Sequence, residues 1–226
     1  MSFRPTQRQC RWTFRSPAGA ALILPAAVLA LSFPSPAAAQ GNVPKAEADA
    51  KLRYCEVCHG ASAQGFHGYY PIPRLAGQPT EYLKNQLQAF VERRRTSNIM
   101  FNVGHILSPA MIDALTTDFN QLNPKPLGGA PKGNIDEGKK IFENGIAEAN
   151  VPPCASCHGP EAKGNGPFPR LAGQLYDYVT NKLTNWEKER GQNPSQPDIS
   201  AVMQPIAHSL TQPQIKAVAA YVSYLE

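Results

Sequence analysis

Apolar residues recur along this chain at helical spacing, and they do so at two matching places. From Thr80 onward, Tyr82, Leu83, Gln86, Leu87 and Phe90 follow a period of about 3.6 residues, the stripe of an amphipathic helix. Tyr178, Val179, Lys182, Leu183 and Trp186 draw the same face at an offset of 96. Ser108-Pro109 reads as an N-cap followed by proline at the first helical position. The helix it opens should carry Ile112, Leu115 and Phe119 inward, and a twin starting at Thr211 should carry Ile215, Val218, Val222 and Leu225. Lys45 to Tyr54 is a further, Ala-rich helix. No stretch alternates apolar and polar residues over a useful length, so the expected fold is all-α.

The apolar run Ala18 to Phe33 follows a different rule. It is preceded by Arg4, Arg8, Arg11 and Arg15 without an acid, is broken by Pro25, and ends at Ala37-Ala38-Ala39 before Gln40. A basic n-region, a short apolar core and an A-x-A site describe a cleaved signal peptide over residues 1–39, hence export to the periplasm. Cys10 precedes the apolar run and so is no lipoprotein cysteine. Without this leader the formal charge falls from +5 to about +1, so nucleic acid is not implied. Arg93-Arg94-Arg95 is the one basic run left, expected as a solvated helix end, with a docking patch for an acidic partner as the sharper alternative.

The remainder reads twice. Pro71-Ile72-Pro73-Arg74-Leu75-Ala76-Gly77-Gln78 returns as Pro167-Phe168-Pro169-Arg170-Leu171-Ala172-Gly173-Gln174. Two tandem domains are therefore expected, at residues 40–122 and 134–226. The seam, residues 123–133, is rich in proline and glycine, carries no apolar periodicity, and is read as a linker.

Each half also contains a C-x-x-C-H run: Cys55-Glu56-Val57-Cys58-His59 and Cys154-Ala155-Ser156-Cys157-His158. Two thiols three residues apart on one helical turn can both add to the vinyl groups of one porphyrin. The next residue then offers an imidazole to its iron. Cys55, Cys58, Cys154 and Cys157 are the expected attachment points of two covalently bound haem c groups, with His59 and His158 as proximal ligands. A zinc knuckle needs further Cys or His at metal spacing, and the sequence has none. A bound haem also fills the interior of a half of roughly 80–95 residues, too small for an ample core of its own.

For the sixth ligand position the sequence offers Met100 and Met203. They sit at equivalent places, each followed by three residues and then a small residue, His, one residue, Leu and Ser or Thr. A thioether opposite imidazole favours the ferrous state and raises the potential. Met111 has no counterpart and is read as core filler. His105 and His208, five residues after each methionine, are expected to pack or hydrogen-bond near the haem edge. Around the proximal histidines, the backbone carbonyls of Pro73 and Pro169 are candidates to accept the Nδ1 proton. Leu75 and Leu171 are expected on the porphyrin face, and Arg74 and Arg170 beside haem propionates.

At these residues the chain resembles the cytochrome c4 family: exported proteins built from two class I cytochrome c domains. Tandem C-x-x-C-H, the P-R-L-A-G-Q run and a methionine before L-[ST] all match. The resemblance implies a non-catalytic electron carrier, soluble or peripherally membrane-associated, with two His/Met haems. Its implied redox partners are a quinol-oxidising complex or dehydrogenase as donor and a terminal oxidase or reductase as acceptor. Two departures stand out. The Gly and aromatic usual on a class I first helix occur only in the second half, as Gly138 and Phe142, and Gly145 to Pro153 is inserted before the second haem run. The alternatives are a cytochrome subunit of a dehydrogenase or flavocytochrome, and an enzyme of the dihaem peroxidase or thiosulfate dehydrogenase kind.

Overall fold

The computed structural model describes residues 42–190 and 198–226. The leader expected at residues 1–39 lies outside them. In chain order the helices are α1 (Lys45–His59), α2 (Thr80–Val91), α3 (Asn98–His105), α4 (Pro109–Gln121), α5 (Ile135–Asn144), α6 (Ala155–His158), α7 (Tyr176–Thr184), α8 (Trp186–Glu189), α9 (Met203–Ser209) and α10 (Gln212–Tyr224). Among the described residues there is no strand, only isolated bridges such as Phe66 to Ile72 and Asn165 to Phe168. The fold is all-α. No single described helix is long and apolar enough to cross a membrane.

Local chemistry explains the helix ends. Ser108 accepts a hydrogen bond from the Met111 backbone N–H at 3.2 Å, with Pro109 at the first position of α4. At α10, Thr211 and Gln214 form a capping box, the Thr211 N–H donating to Gln214 Oε1 at 2.8 Å. The helix expected to stop at Tyr54 runs on through the first Cys–His run to His59 and ends at Gly60, whose φ of +86° takes the chain out of the helix. In the second half the same approach is interrupted. Helix α5 stops at Asn144, residues 145–153 make a short excursion containing a 3-10 turn, and the haem run forms its own short helix, α6. The face expected to continue from Tyr178 to Trp186 is likewise divided, because the chain leaves helical geometry at Asn185 between α7 and α8.

Each half buries its own apolar cluster. In the first, Ala63, Ala76, Leu83, Met111, Leu115 and Phe119 pack together, so Met111 is core as expected. The second is larger and includes Ile141, Phe142, Val179, Ile215, Val218 and Val222. The difference comes from α5 and α10, which cross at Gly138. A Cβ there would stand 2.0 Å from the Ala217 carbonyl oxygen, so only glycine lets the backbones approach this closely. The linker, in turn, is held down at points along its length. Pro124 and Asn123 accept from the Arg74 guanidinium, and Tyr224 OH donates to the Ala130 carbonyl.

The structure also explains why the repeat offset drifts from 99 at the cysteines to 96 at the P-R-L-A-G-Q run. After His59 the chain loops out and returns through the Phe66–Ile72 bridge; after His158 it returns through the tighter Asn165–Phe168 bridge. The longer first loop carries Tyr69 and Tyr70, both exposed.

Candidate functional site

In both halves the Cys–His run sits where helix geometry places two thiols on one face and the following imidazole against the core. Of the four cysteines of these runs, Cys58 and Cys157 are exposed and Cys55 and Cys154 half-buried. Burial raises the Cys55 thiol and pushes that of Cys154 up to about 11.

His59 and His158 are buried, 8 % and 5 % exposed. Their Nδ1 atoms lie 2.8 Å from the Pro73 carbonyl and 2.9 Å from the Pro169 carbonyl. A carbonyl can only accept, so Nδ1 carries the proton in both rings and Nε2 presents its lone pair. This is the orientation a ligating imidazole needs, with its ring fixed by a backbone acceptor. The sequence placed Pro73 and Pro169 in this role. Burial holds both histidines below their usual value, opposed by the proline carbonyls and, at His59, reinforced by the Arg95 charge.

The sign of the resulting pH dependence follows. A histidine whose folded-state pKa is depressed contributes stability that is fully present above its unfolded value, about 6.5. That stability is lost as pH falls towards the folded value, because the unfolded chain takes up the proton first. Acidification from pH 7 is therefore expected to lower the unfolding midpoint. Circular dichroism melts at a series of pH values measure it, and a midpoint that rises below pH 6 contradicts the assignment.

Met100 and Met203 are half-buried, Met100 within α3 and Met203 opening α9. Ser97 caps α3 by accepting from the Met100 N–H at 3.2 Å. Leu75 and Leu171 are partly buried against the clusters of their own halves. His105 and His208 are both exposed; His105 stacks on Phe101, and His208 lies 3.5 Å from Glu187.

The arginines depart furthest from a simple surface picture. Arg74 and Arg170 are 1 % and 5 % exposed and lie between the halves. Arg74 donates to the Ala76 and Pro124 carbonyls and to Asn123, and Arg170 to the Ala172 carbonyl, all neutral acceptors. Burial and the Arg170 charge hold Arg74 down to about 10. The run expected to be a solvated helix end is divided by the tertiary structure. Arg93 is exposed over the Phe101 ring, Arg94 pairs with Glu92 and Asp198, and Arg95 is buried.

Sequence reasoning missed Gln78 and Gln174. Gln78 donates to the Arg170 carbonyl at 2.8 Å and accepts from its N–H at 3.0 Å. Gln174 does the same to Arg74, at 3.1 and 2.9 Å. Each P-R-L-A-G-Q run thus clasps the other, and Gly77 leaves room, since a Cβ there would lie 3.0 Å from Arg170 Nη1. The signal was present: glutamine ends both copies of the run. Gln174→Ala leaves a buried N–H and carbonyl of Arg74 without partners, a loss of about 1–3 kcal/mol. Scanning calorimetry should then show one unfolding transition separating into two. A single unshifted transition would mean the clasp does not join the halves.

Two oriented imidazoles, each beside a thiol pair at vinyl spacing on an all-α frame, define a c-type cytochrome: a protein that binds haem covalently and carries electrons. Comparison with known proteins agrees. Residues 135–226 match the family model described as Cytochrome c. The chain is 38% identical over 199 residues to cytochrome c-552 of Acidithiobacillus ferridurans, covering 83% of each. It is 34% identical over 174 residues to a thiosulfate dehydrogenase electron acceptor of Thiomonas intermedia, covering 75% of this chain and 77% of that one. The solved cytochrome c4 of Acidithiobacillus ferrooxidans superposes with a TM-score of 0.65 at 37% identity, covering 76% of this chain and 98% of that one. The chain belongs to the dihaem cytochrome c4 family.

Proposed function

We propose that this chain is an exported, non-catalytic electron carrier holding two haem c groups, ligated by His59 with Met100 and by His158 with Met203. The observation that carries the reading is the pair of buried histidines with Nδ1 held by a proline carbonyl, each in a half that also supplies a half-buried methionine on a short helix. When bound, haem iron supplies a one-electron couple. The chain's residues supply the rest. The thiols would anchor the group, Pro73 and Pro169 hold the imidazoles in a ligating orientation, Leu75 and Leu171 would give it apolar walls, and the methionines would supply the second ligand to each iron in place of substrate.

The test is a pyridine haemochrome assay together with the electronic spectrum of the purified mature protein. Two covalent haems, a Met–Fe(III) charge-transfer band and no rapid carbon monoxide binding are expected. High-spin bands or fast carbon monoxide uptake favour the peroxidase or thiosulfate dehydrogenase kind of enzyme. Export is supported by the composition of residues 1–39 and is checked by the mature N-terminus, expected at Gln40.

Partners are read as redox proteins, a quinol-oxidising complex or dehydrogenase on one side and a terminal oxidase or reductase on the other. The first half suits docking, because Tyr54, Val57, Phe66 and Tyr69 are exposed just before, within and after its Cys–His run. The likeness to a thiosulfate dehydrogenase electron acceptor favours a sulfur-oxidising dehydrogenase as one donor. Rates of reduction by thiosulfate with its dehydrogenase, set against those by a quinol-oxidising complex, separate the two donors.

A further inference from the structure

The two clasping glutamines land on the very peptide units that hold the imidazoles. In the first half, His59 Nδ1–H donates to the Pro73 carbonyl at 2.8 Å. The N–H of that same peptide unit belongs to Arg74, and it donates to Gln174 Oε1 at 2.9 Å. In the second half, His158 Nδ1–H donates to the Pro169 carbonyl at 2.9 Å, and the Arg170 N–H on the other side of that amide donates to Gln78 Oε1 at 3.0 Å. Each row of two bonds thus begins on an imidazole of one half and ends on a side chain of the other. The proline follows its histidine by 14 residues in the first half and by 11 in the second, yet both rows are built alike.

The rows are dry and their direction is fixed. Both histidines, Arg74, Arg170, Gln78 and Gln174 are all buried. Neither glutamine amide can be turned round, because each Nε2 donates to the carbonyl of the same arginine. Gln174 Oε1 also accepts from the Leu175 N–H at 3.1 Å. Reversal would set N–H against N–H. An amide whose N–H donates becomes a better acceptor at its carbonyl, as electron density moves from nitrogen to oxygen. In a low-dielectric interior, bonds in such a series strengthen one another. A stronger acceptor on Nδ1–H in turn makes an imidazole more basic at Nε2.

We propose that Gln174 and Gln78 are positioning residues that act across the interface, each polarising the peptide unit that holds the proximal histidine of the opposite half. Gln174 sets the donor strength of His59, and Gln78 that of His158. This rests on the reading that both histidines ligate haem iron. No proton is transferred: Nδ1 keeps its own, and only the polarisation of the amide passes along the row. A more basic imidazole favours the ferric ion, so each glutamine holds down the midpoint potential of the haem in the other half. The two halves are then coupled in their redox chemistry as well as in their packing.

Gln174→Met and Gln78→Met, which remove the amide and keep the length of the side chain, test the assignment in the haem-loaded protein. In nuclear magnetic resonance spectra of the reduced, histidine-labelled protein, Gln174→Met should move the His59 Nδ1 proton upfield and leave that of His158 in place. Gln78→Met should do the reverse. Redox titrations followed on the assigned haem-methyl resonances should show the midpoint rising in the half opposite the substitution and holding in the other. A purely structural clasp does not give this crossed pattern, because a loosened interface disturbs both halves in either variant. Shifts confined to the substituted half, equal shifts in both halves, or no shift overturn the proposal. Should the methionine variants not fold, Gln174→Glu and Gln78→Glu keep an oxygen against the arginine N–H. The Arg74 and Arg170 guanidinium groups, packed against Gly173 and Gly77 next in sequence, keep such a carboxylate ionised, and it accepts more strongly than an amide. The opposite histidine's Nδ1 proton should then move downfield, and an unmoved or upfield resonance overturns the proposal. A haemochrome count run alongside separates the two levels. A wild type with fewer than two covalent haems overturns the haem reading and this one together, whereas two haems without the crossed pattern overturn the glutamine assignment alone.

Discussion

Met203→Ala is expected to remove about half of the Met–Fe(III) charge-transfer band and to lower one of the two midpoint potentials, leaving the other nearly unchanged. The size should be on the order of 0.1 V, a fraction of the ≈ 0.8 V that axial ligands span. A thioether is a soft donor that stabilises the ferrous ion, and no other residue of the second half stands ready to replace it equally. His208 lies five residues on, but it is exposed and faces Glu187 at 3.5 Å. His208→Ala should therefore leave the band in place. Met100→Ala should remove the other half, and the double variant should leave none. Full band intensity in Met203→Ala would sink the ligand assignment; loss of the band in His208→Ala would move the ligand to that histidine.

Gly138→Ala should cost about 3 kcal/mol, at the upper end of what overpacking does. An added Cβ would meet the Ala217 carbonyl oxygen at 2.0 Å, the Ala217 carbonyl carbon at 2.6 Å and Tyr221 Cβ at 2.8 Å. Two of these are backbone atoms of α10, so no rotamer change relieves the contact and the helices must separate. Phe142 and Val222, both at 0 % exposure, would lose part of their packing. Against a total stability of roughly 5–15 kcal/mol such a loss is large. Gly133→Ala is the control, since a Cβ there meets nothing within 4 Å. A urea midpoint for Gly138→Ala equal to that of Gly133→Ala would mean that the close crossing of α5 and α10 does not exist in solution.

The first half lacks this crossing, and its sequence says so. Where α5 carries Gly138, α1 offers alanines, of which only Ala48 is buried. The smaller first cluster and the larger second one follow from that single difference at the helix crossing. Such an asymmetry was legible as a departure from the family pattern, but its consequence for packing needed coordinates.

Local chemistry was determined by the sequence alone. Two thiols and an imidazole within one turn, a Ser or Thr before a helix with proline in its first turn, and a methionine repeated at one offset act over a few residues. The helical frame enforces their geometry wherever the helix lies. Pro73 and Pro169 were also within reach, because their runs follow the histidines in both halves. Only the tertiary structure decided what happens between the halves. It divided Arg93-Arg94-Arg95 into an exposed, a paired and a buried residue. It turned Gln78 and Gln174 into a mutual clasp, broke the second amphipathic stripe at Asn185, and placed Arg95 and Arg190 on one shared glutamine. Each of these joins residues roughly a hundred positions apart or depends on which side of a turn faces the partner half, and one-dimensional spacing carries no information about either.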